Sequence, residues 1–162
     1  MQGIPQVEIV PTPALVRGAA RRHGGPVMPR LLGRLSPGRD EAERFIAARY
    51  LRDYGAVLDH FLPTLVTLPS PAGGLLAAAG LAPAAAGPLF LEHYLDAPVE
   101  VAIARRLGRD IRRREVLEVG NLAAGTPGGG RLMIVSLVRL LEGRGVEWIA
   151  FTATLSLRNS LA

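Results

Sequence analysis

The chain has 162 residues, 49% hydrophobic and 20% charged, a composition that suits one globular domain and excludes a disordered chain. It has no cysteine, which removes a disulfide framework, a cysteine zinc site and a thiol nucleophile. All 19 basic residues are arginine, so no Schiff-base or P-loop lysine is available, and the net charge of +5 fits an anionic ligand or surface without bearing on fold.

Residues 1–38 are weakly patterned, with a short strand predicted at Val7–Val10 before a Pro/Gly/Arg-rich passage. A core of residues 39–162 follows. Its first element is a helix, with Asp40 as cap, Glu43 three residues on, and Ala42, Phe45, Ile46, Arg49 and Tyr50 at helical spacing before Gly55. Between Asp59 and Glu92 there is no Asp, Glu or Arg. Five prolines cut that window, and its longest proline-free piece is 11 residues, against the roughly 20 a spanning helix needs. It therefore reads as buried strands and turns, Leu62–Leu68 and Leu75–Leu81 forming an antiparallel hairpin. No integral membrane insertion is expected, and with no signal-peptide pattern at the N-terminus the expected location is cytoplasmic.

A small element of undetermined type lies in Pro88–Pro98, and a helix from near Pro98 aligns Val99, Ile103 and Leu107 and stops at Gly108. Glu115–Ala123 reads as a strand, Leu132–Glu142 as an apolar helix, Val146–Thr154 as a second strand, and LSLRNS as a helix start. Strand, Gly-rich turn, helix and strand make a βαβ unit with parallel neighbours. With the hairpin before it, the fold class is α+β, a mixed sheet with helices on its faces.

The Gly-rich exit from the first of these strands is the strongest local signal. Gly125, Gly128, Gly129 and Gly130 free backbone N–H groups to turn inward at a helix N-terminus, and Arg131 adds a fork of donors. Such a cradle suits phosphate or pyrophosphate; an ordinary flexible turn is the plainer alternative. It lacks the Lys-Ser/Thr end of a P-loop and the dinucleotide-binding register. In a strand, Glu118 and Gly120 face one way and Val119 and Asn121 the other. Glu118 is a candidate general base, or else a buried carboxylate paired with an arginine. Arg158 and Asn159 open the last helix, where they contact a ligand or simply cap. The run Arg105, Arg106, Arg109, Arg112, Arg113 and Arg114 has no interleaved aromatics and reads as a solvated face, so no nucleic-acid partner is expected. His23, His60 and His93 have no metal-ligand spacing.

Four segments in order, AERFIAARYLRDYGA, LEHYLDAPVEVAI, EVGNLAA and EWIAFTATLSLRN, resemble the thermostable haemolysin family over roughly residues 40–162. That family usually continues past LRN, so a C-terminal portion is expected to be missing here. It is similar to the acyl-CoA N-acyltransferase superfamily and, within it, to acyl-homoserine-lactone synthases. The resemblance implies that the Glu115–Ala123 strand splays from the Val146–Thr154 strand around an acyl or pantetheine arm. It makes Gly125–Arg131 the pyrophosphate loop, although the superfamily's Q/R-x-x-G-x-G/A pattern is not kept, and puts Glu118 in the place of an acidic residue the synthases carry.

The leading functional reading is an acyltransferase moving an acyl group from acyl-CoA or acyl-carrier protein to an amine. Gly125, Gly128, Gly129, Gly130, Arg131 and Asn159 bind the donor, Glu118 and Asn121 serve catalysis, and no metal takes part. The alternatives are a membrane-active haemolysin-type protein, whose only sequence support is the uncharged window 60–91, and a non-catalytic binding module of the same fold. A strand edge left open by a missing portion favours a homodimer.

Overall fold

A computed structural model describes residues 6–12 and 28–153. Its strands are β1 (Gln6–Pro11), β2 (Arg30–Leu32), β3 (Thr64–Pro69), β4 (Leu75–Pro83), β5 (Val116–Ala124) and β6 (Trp148–Ala153). Its helices are α1 (Arg39–Tyr54), α2 (Val99–Leu107) and α3 (Gly129–Leu141), joined by short 3-10 turns at Ala84–Ala86, Phe90–Tyr94 and Arg113–Glu115. The strands form one mixed sheet in the order β1-β6-β5-β4-β3-β2. Only β5 and β6 run parallel; every other neighbouring pair is antiparallel. The expected hairpin and βαβ unit are both present.

Two layers of helix cover the sheet because its strands are apolar on both faces. On one face α3 sets Met133, Ile134, Leu137, Val138 and Leu141 against Val66, Ala79, Leu81, Leu117, Val119, Ile149 and Phe151. On the other, α1 packs Ala42 and Ile46 over Leu65, Ala78 and Ala123, while Val99 and Ile103 of α2 pack with Leu91, Val116, Trp148 and Ala150. The small residues Ala77–Gly80 of β4, buried throughout, leave room for close packing on each side. The uncharged window is thus β3 and β4, and its apolar residues fill the core. Among the described residues no helix is long and apolar enough to cross a membrane.

Local signals correct three expected boundaries. The cap of α1 is Gly38 in the left-handed conformation at φ 86°, not Asp40, which lies in the first turn. Arg39 itself is buried, donating to the carbonyls of Pro63 at 2.9 Å and Leu62 at 3.0 Å and to Glu43 Oε1 at 2.8 Å. Helix α3 starts three residues earlier than its apolar pattern, because Gly128 at φ 82° caps it and Gly129, Gly130 and Arg131 form its first turn. The ambiguous Pro88–Pro98 element is the 3-10 turn Phe90–Tyr94. Arg158, Asn159 and the expected last helix lie outside the described residues.

Candidate active site at the divergence of two strands

The β5–β6 ladder pairs Val116 with Trp148 through Val119 with Phe151 and goes no further. Past that point β5 pairs only with β4, and β6 only with β1. A parting of neighbours in mid-sheet exposes backbone groups that a continuous ladder would consume. The Gly-rich exit of β5 and the N-terminus of α3 lie at the same end.

The break coincides with a bulge in β5. Ala78 is opposite Ala123 and Gly80 opposite Gly120, so Asn121 and Leu122 face the single residue Ala79. Asn121 has φ 48°, the one non-glycine positive φ among the described residues, and a left-handed asparagine is well tolerated. The bulge overturns strict alternation. The Asn121 amide comes to the same side as Gly80 and Gly120, where Oδ1 accepts the Leu62 N–H at 3.0 Å and Nδ2 donates to the His60 carbonyl at 3.3 Å. Leu62 then lies over both glycines: a Cβ on Gly80 would stand 2.8 Å from Leu62 Cβ, and one on Gly120 2.9 Å from Leu62 Cδ1.

Glu118 sits one residue before the end of the paired ladder and is 3% exposed. No arginine pairs with it among the described residues. Oε2 instead accepts the Phe90 N–H at 2.9 Å and Oε1 the Leu91 N–H at 3.0 Å. These are N–H groups that the start of a 3-10 turn leaves free. Burial pushes the Glu118 carboxyl above the ordinary glutamate value, against the two backbone N–H groups, which favour the anion.

The turn that Glu118 holds is fixed from below as well. Glu92 accepts the Leu89 and Val99 N–H groups, each at 2.8 Å, and pairs with Arg113, which also bonds Glu100 at 2.7 Å and the carbonyls of Ala84 and Gly87 at 2.7 Å. Arg113 is therefore an internal staple, and the solvated-face reading of the arginine run fails there. Elsewhere in the run Arg112 pairs with Glu115, Arg105 with Asp96 and Arg109 with Glu147.

In the loop, the Gly125 N–H bonds the Leu76 carbonyl at 2.7 Å and the Gly129 N–H the Thr126 carbonyl at 3.1 Å. The Gly130 and Arg131 N–H groups, in the first turn of α3, have no partner among the described residues. That turn carries no acidic residue, and the Arg131 side chain is exposed. Open amides, a helix positive end and a nearby cation fit an anionic group of several oxygens. Among the described residues no cluster of three or more His, Cys, Asp or Glu could hold a metal.

A residue that the sequence reading did not single out for the site also reaches this loop. Arg49 of α1 places Nη2 3.6 Å from where a Gly125 Cβ would stand. Its position on the helix stripe of Ala42, Phe45 and Ile46 was the available clue.

The same fold is found in the crystal structure of TofI in a ternary complex with an inhibitor and MTA, at 20% identity and a TM-score of 0.54 over 82% of this chain and 76% of that one. It bears out the expected α+β fold, a mixed sheet with helices on its faces. No significant match is found among curated proteins. The family model described as thermostable hemolysin matches residues 32–162. The chain belongs to the thermostable hemolysin family.

Proposed function

We propose that the protein is an acyltransferase that moves an acyl group from a phosphopantetheine thioester, acyl-CoA or acyl-carrier protein, to an amine. The observation that carries this is the parting of β5 and β6 after Val119 and Phe151, with Glu118 beside it and the open first-turn amides of α3 at the same end. The donor's phosphate would meet the Gly130 and Arg131 N–H groups and the Arg131 guanidinium, and Asn159 stays part of this proposed donor contact.

The amine attacks the thioester carbonyl carbon, the carbon–sulfur bond breaks, and the thiol leaves with a proton. Backbone N–H groups of β5 released from the ladder would stabilise the oxyanion. Each Glu118 oxygen already accepts one N–H, so the amine's proton reaches the carboxylate through a water at a remaining lone pair. Burial raises the basicity of that carboxylate, which favours the role. Asn121 acts as a positioning residue: its amide holds the His60–Leu62 backbone over the bulge. The reading carries with it a cytoplasmic location and small-molecule partners, with self-association through an open sheet edge.

The test is release of free thiol from acyl-CoAs of graded chain length, and from acyl-carrier protein, in the presence of an amine panel. Amine-dependent release lost in Glu118→Gln supports the reading. Binding of donor without transfer to any amine would make the chain a non-catalytic module of this fold.

A further inference from the structure

The Arg49 guanidinium is under-used by the protein. Its carbon lies over the Phe45 ring, 5.5 Å from the ring centre, a cation–π contact that uses none of its N–H donors. Its Nη1 is buried and has no hydrogen-bond partner, one of two such buried side-chain atoms among the described residues. Asp53, one turn on in α1, feels the Arg49 charge but takes its hydrogen bond from Arg52. A buried donor left open is costly, and a core with no use for it would favour an apolar residue there.

The place supplies the use. Nη2 stands over Gly125, where β5 passes into the cradle, and α1 brings it from the sheet face opposite α3. The groups that flank the cradle are all donors: the open Gly130 and Arg131 N–H groups on one side and the Arg49 guanidinium, through Nη2, on the other. A guanidinium carries donors on a planar fork, and a phosphate can meet that fork with two oxygens.

We propose that Arg49 is a second-side ligand for the phosphate ester at the head of the donor's phosphopantetheine arm. The proposal rests on the donor reading above and adds a residue from a different helix to it. That phosphate is common to CoA and acyl-carrier protein, so Arg49 serves either donor.

The test is calorimetric titration of wild type, Arg49→Gln and Arg49→Met with 4′-phosphopantetheine and with pantetheine, together with melting temperatures of the free proteins. Wild type is expected to prefer the phosphorylated form at least tenfold, or about 1.4 kcal/mol. Both variants should lose most of that preference, keep their affinity for pantetheine, and melt at or above the wild-type temperature. An unchanged preference in both variants overturns the role of Arg49 and leaves the donor reading intact. Variants that melt well below wild type make the guanidinium a structural group and also overturn it. No binding of 4′-phosphopantetheine by wild type sinks both readings.

Discussion

Arg113 grips Glu92 with both arms of its guanidinium, Nη1 to Oε1 at 2.6 Å and Nη2 to Oε2 at 3.0 Å. The pair ties the turn that carries Phe90 and Leu91 to the base of β5, and through it orients the two N–H groups that Glu118 accepts. Arg113→Met leaves Glu92 and Glu100 without their cation and the Gly87 carbonyl without its donor, while the Ala84 carbonyl keeps the Gly87 N–H. It should cost about 2–4 kcal/mol in chemical denaturation, with the C-terminal half of the sheet losing hydrogen-exchange protection first.

The same pair gives the fold an acid limb. The hydrogen bond from Arg113, with the Leu89 and Val99 N–H groups, holds the Glu92 carboxyl down at about 2 from an ordinary value of 4.5. A depressed carboxyl adds stability that is complete above its unfolded value and is lost as pH falls through its folded one. Melting temperature should therefore fall between pH about 4.5 and about 2, and Glu92→Gln should flatten that limb from a lower starting point. An equally steep limb in Glu92→Gln would assign it to other carboxylates.

For Glu118 the sign is reversed. Burial raises its carboxyl, so its ionisation weakens the fold as pH rises through the folded value, and the anion that forms is a stronger base. The rate of acyl transfer should climb with pH about a midpoint above the ordinary 4.5 of glutamate. Glu118→Gln should lower it by roughly 10²–10⁴ and remove the midpoint. A Gln variant with wild-type rate and profile would make Glu118 a turn anchor and nothing more.

The bulge makes a separate prediction. Asn121→Ala loses the tolerance for φ 48° and strands the Leu62 N–H, and should cost about 2–3 kcal/mol. Asn121→Gly keeps the backbone conformation and should cost less. Gly80→Ala sets a methyl 2.8 Å from both Leu62 Cβ and Asn121 Oδ1 and should cost about 1–3 kcal/mol, with no recovery in a Gly80→Ala/Leu62→Ala double variant, since alanine keeps the clashing Cβ. Equal losses for the Ala and Gly changes at position 121 would show that the backbone conformation there contributes little.

Much of this fold was legible because its signals are local. Gly55 and Gly108 stop their helices in left-handed conformations as their positions imply, and the Leu62–Leu81 hairpin and the βαβ unit follow from apolar runs and their breaks. The family resemblance was right, and it supplied the expectation of parting strands. What stayed hidden depends on contacts distant in sequence. Asn121 changes sides only because β4 and β5 slip register at Ala79, and no pattern within EVGNLAA shows that slip. Glu118 finds its partners 27 and 28 residues away in backbone N–H groups, which every sequence has, so pairing with an arginine looked equally good. Arg113 differed in sequence from its solvated neighbours by nothing, and only the fold brings Glu92 and Glu100 to it.

The central claim is that this chain takes a phosphopantetheine donor, and thermal stability against a ligand panel tests it most directly. The panel is CoA, acetyl-CoA, long-chain acyl-CoAs, acyl-carrier protein and NAD. At 100 times its dissociation constant a true ligand should stabilise the fold by about 2.7 kcal/mol, an upward melting shift of roughly 5–11 °C. The account predicts that shift with the phosphopantetheine species, none with NAD, and its reduction in Arg131→Ala. A flat response to every CoA thioester and to acyl-carrier protein, by a chain that melts cooperatively, would contradict it.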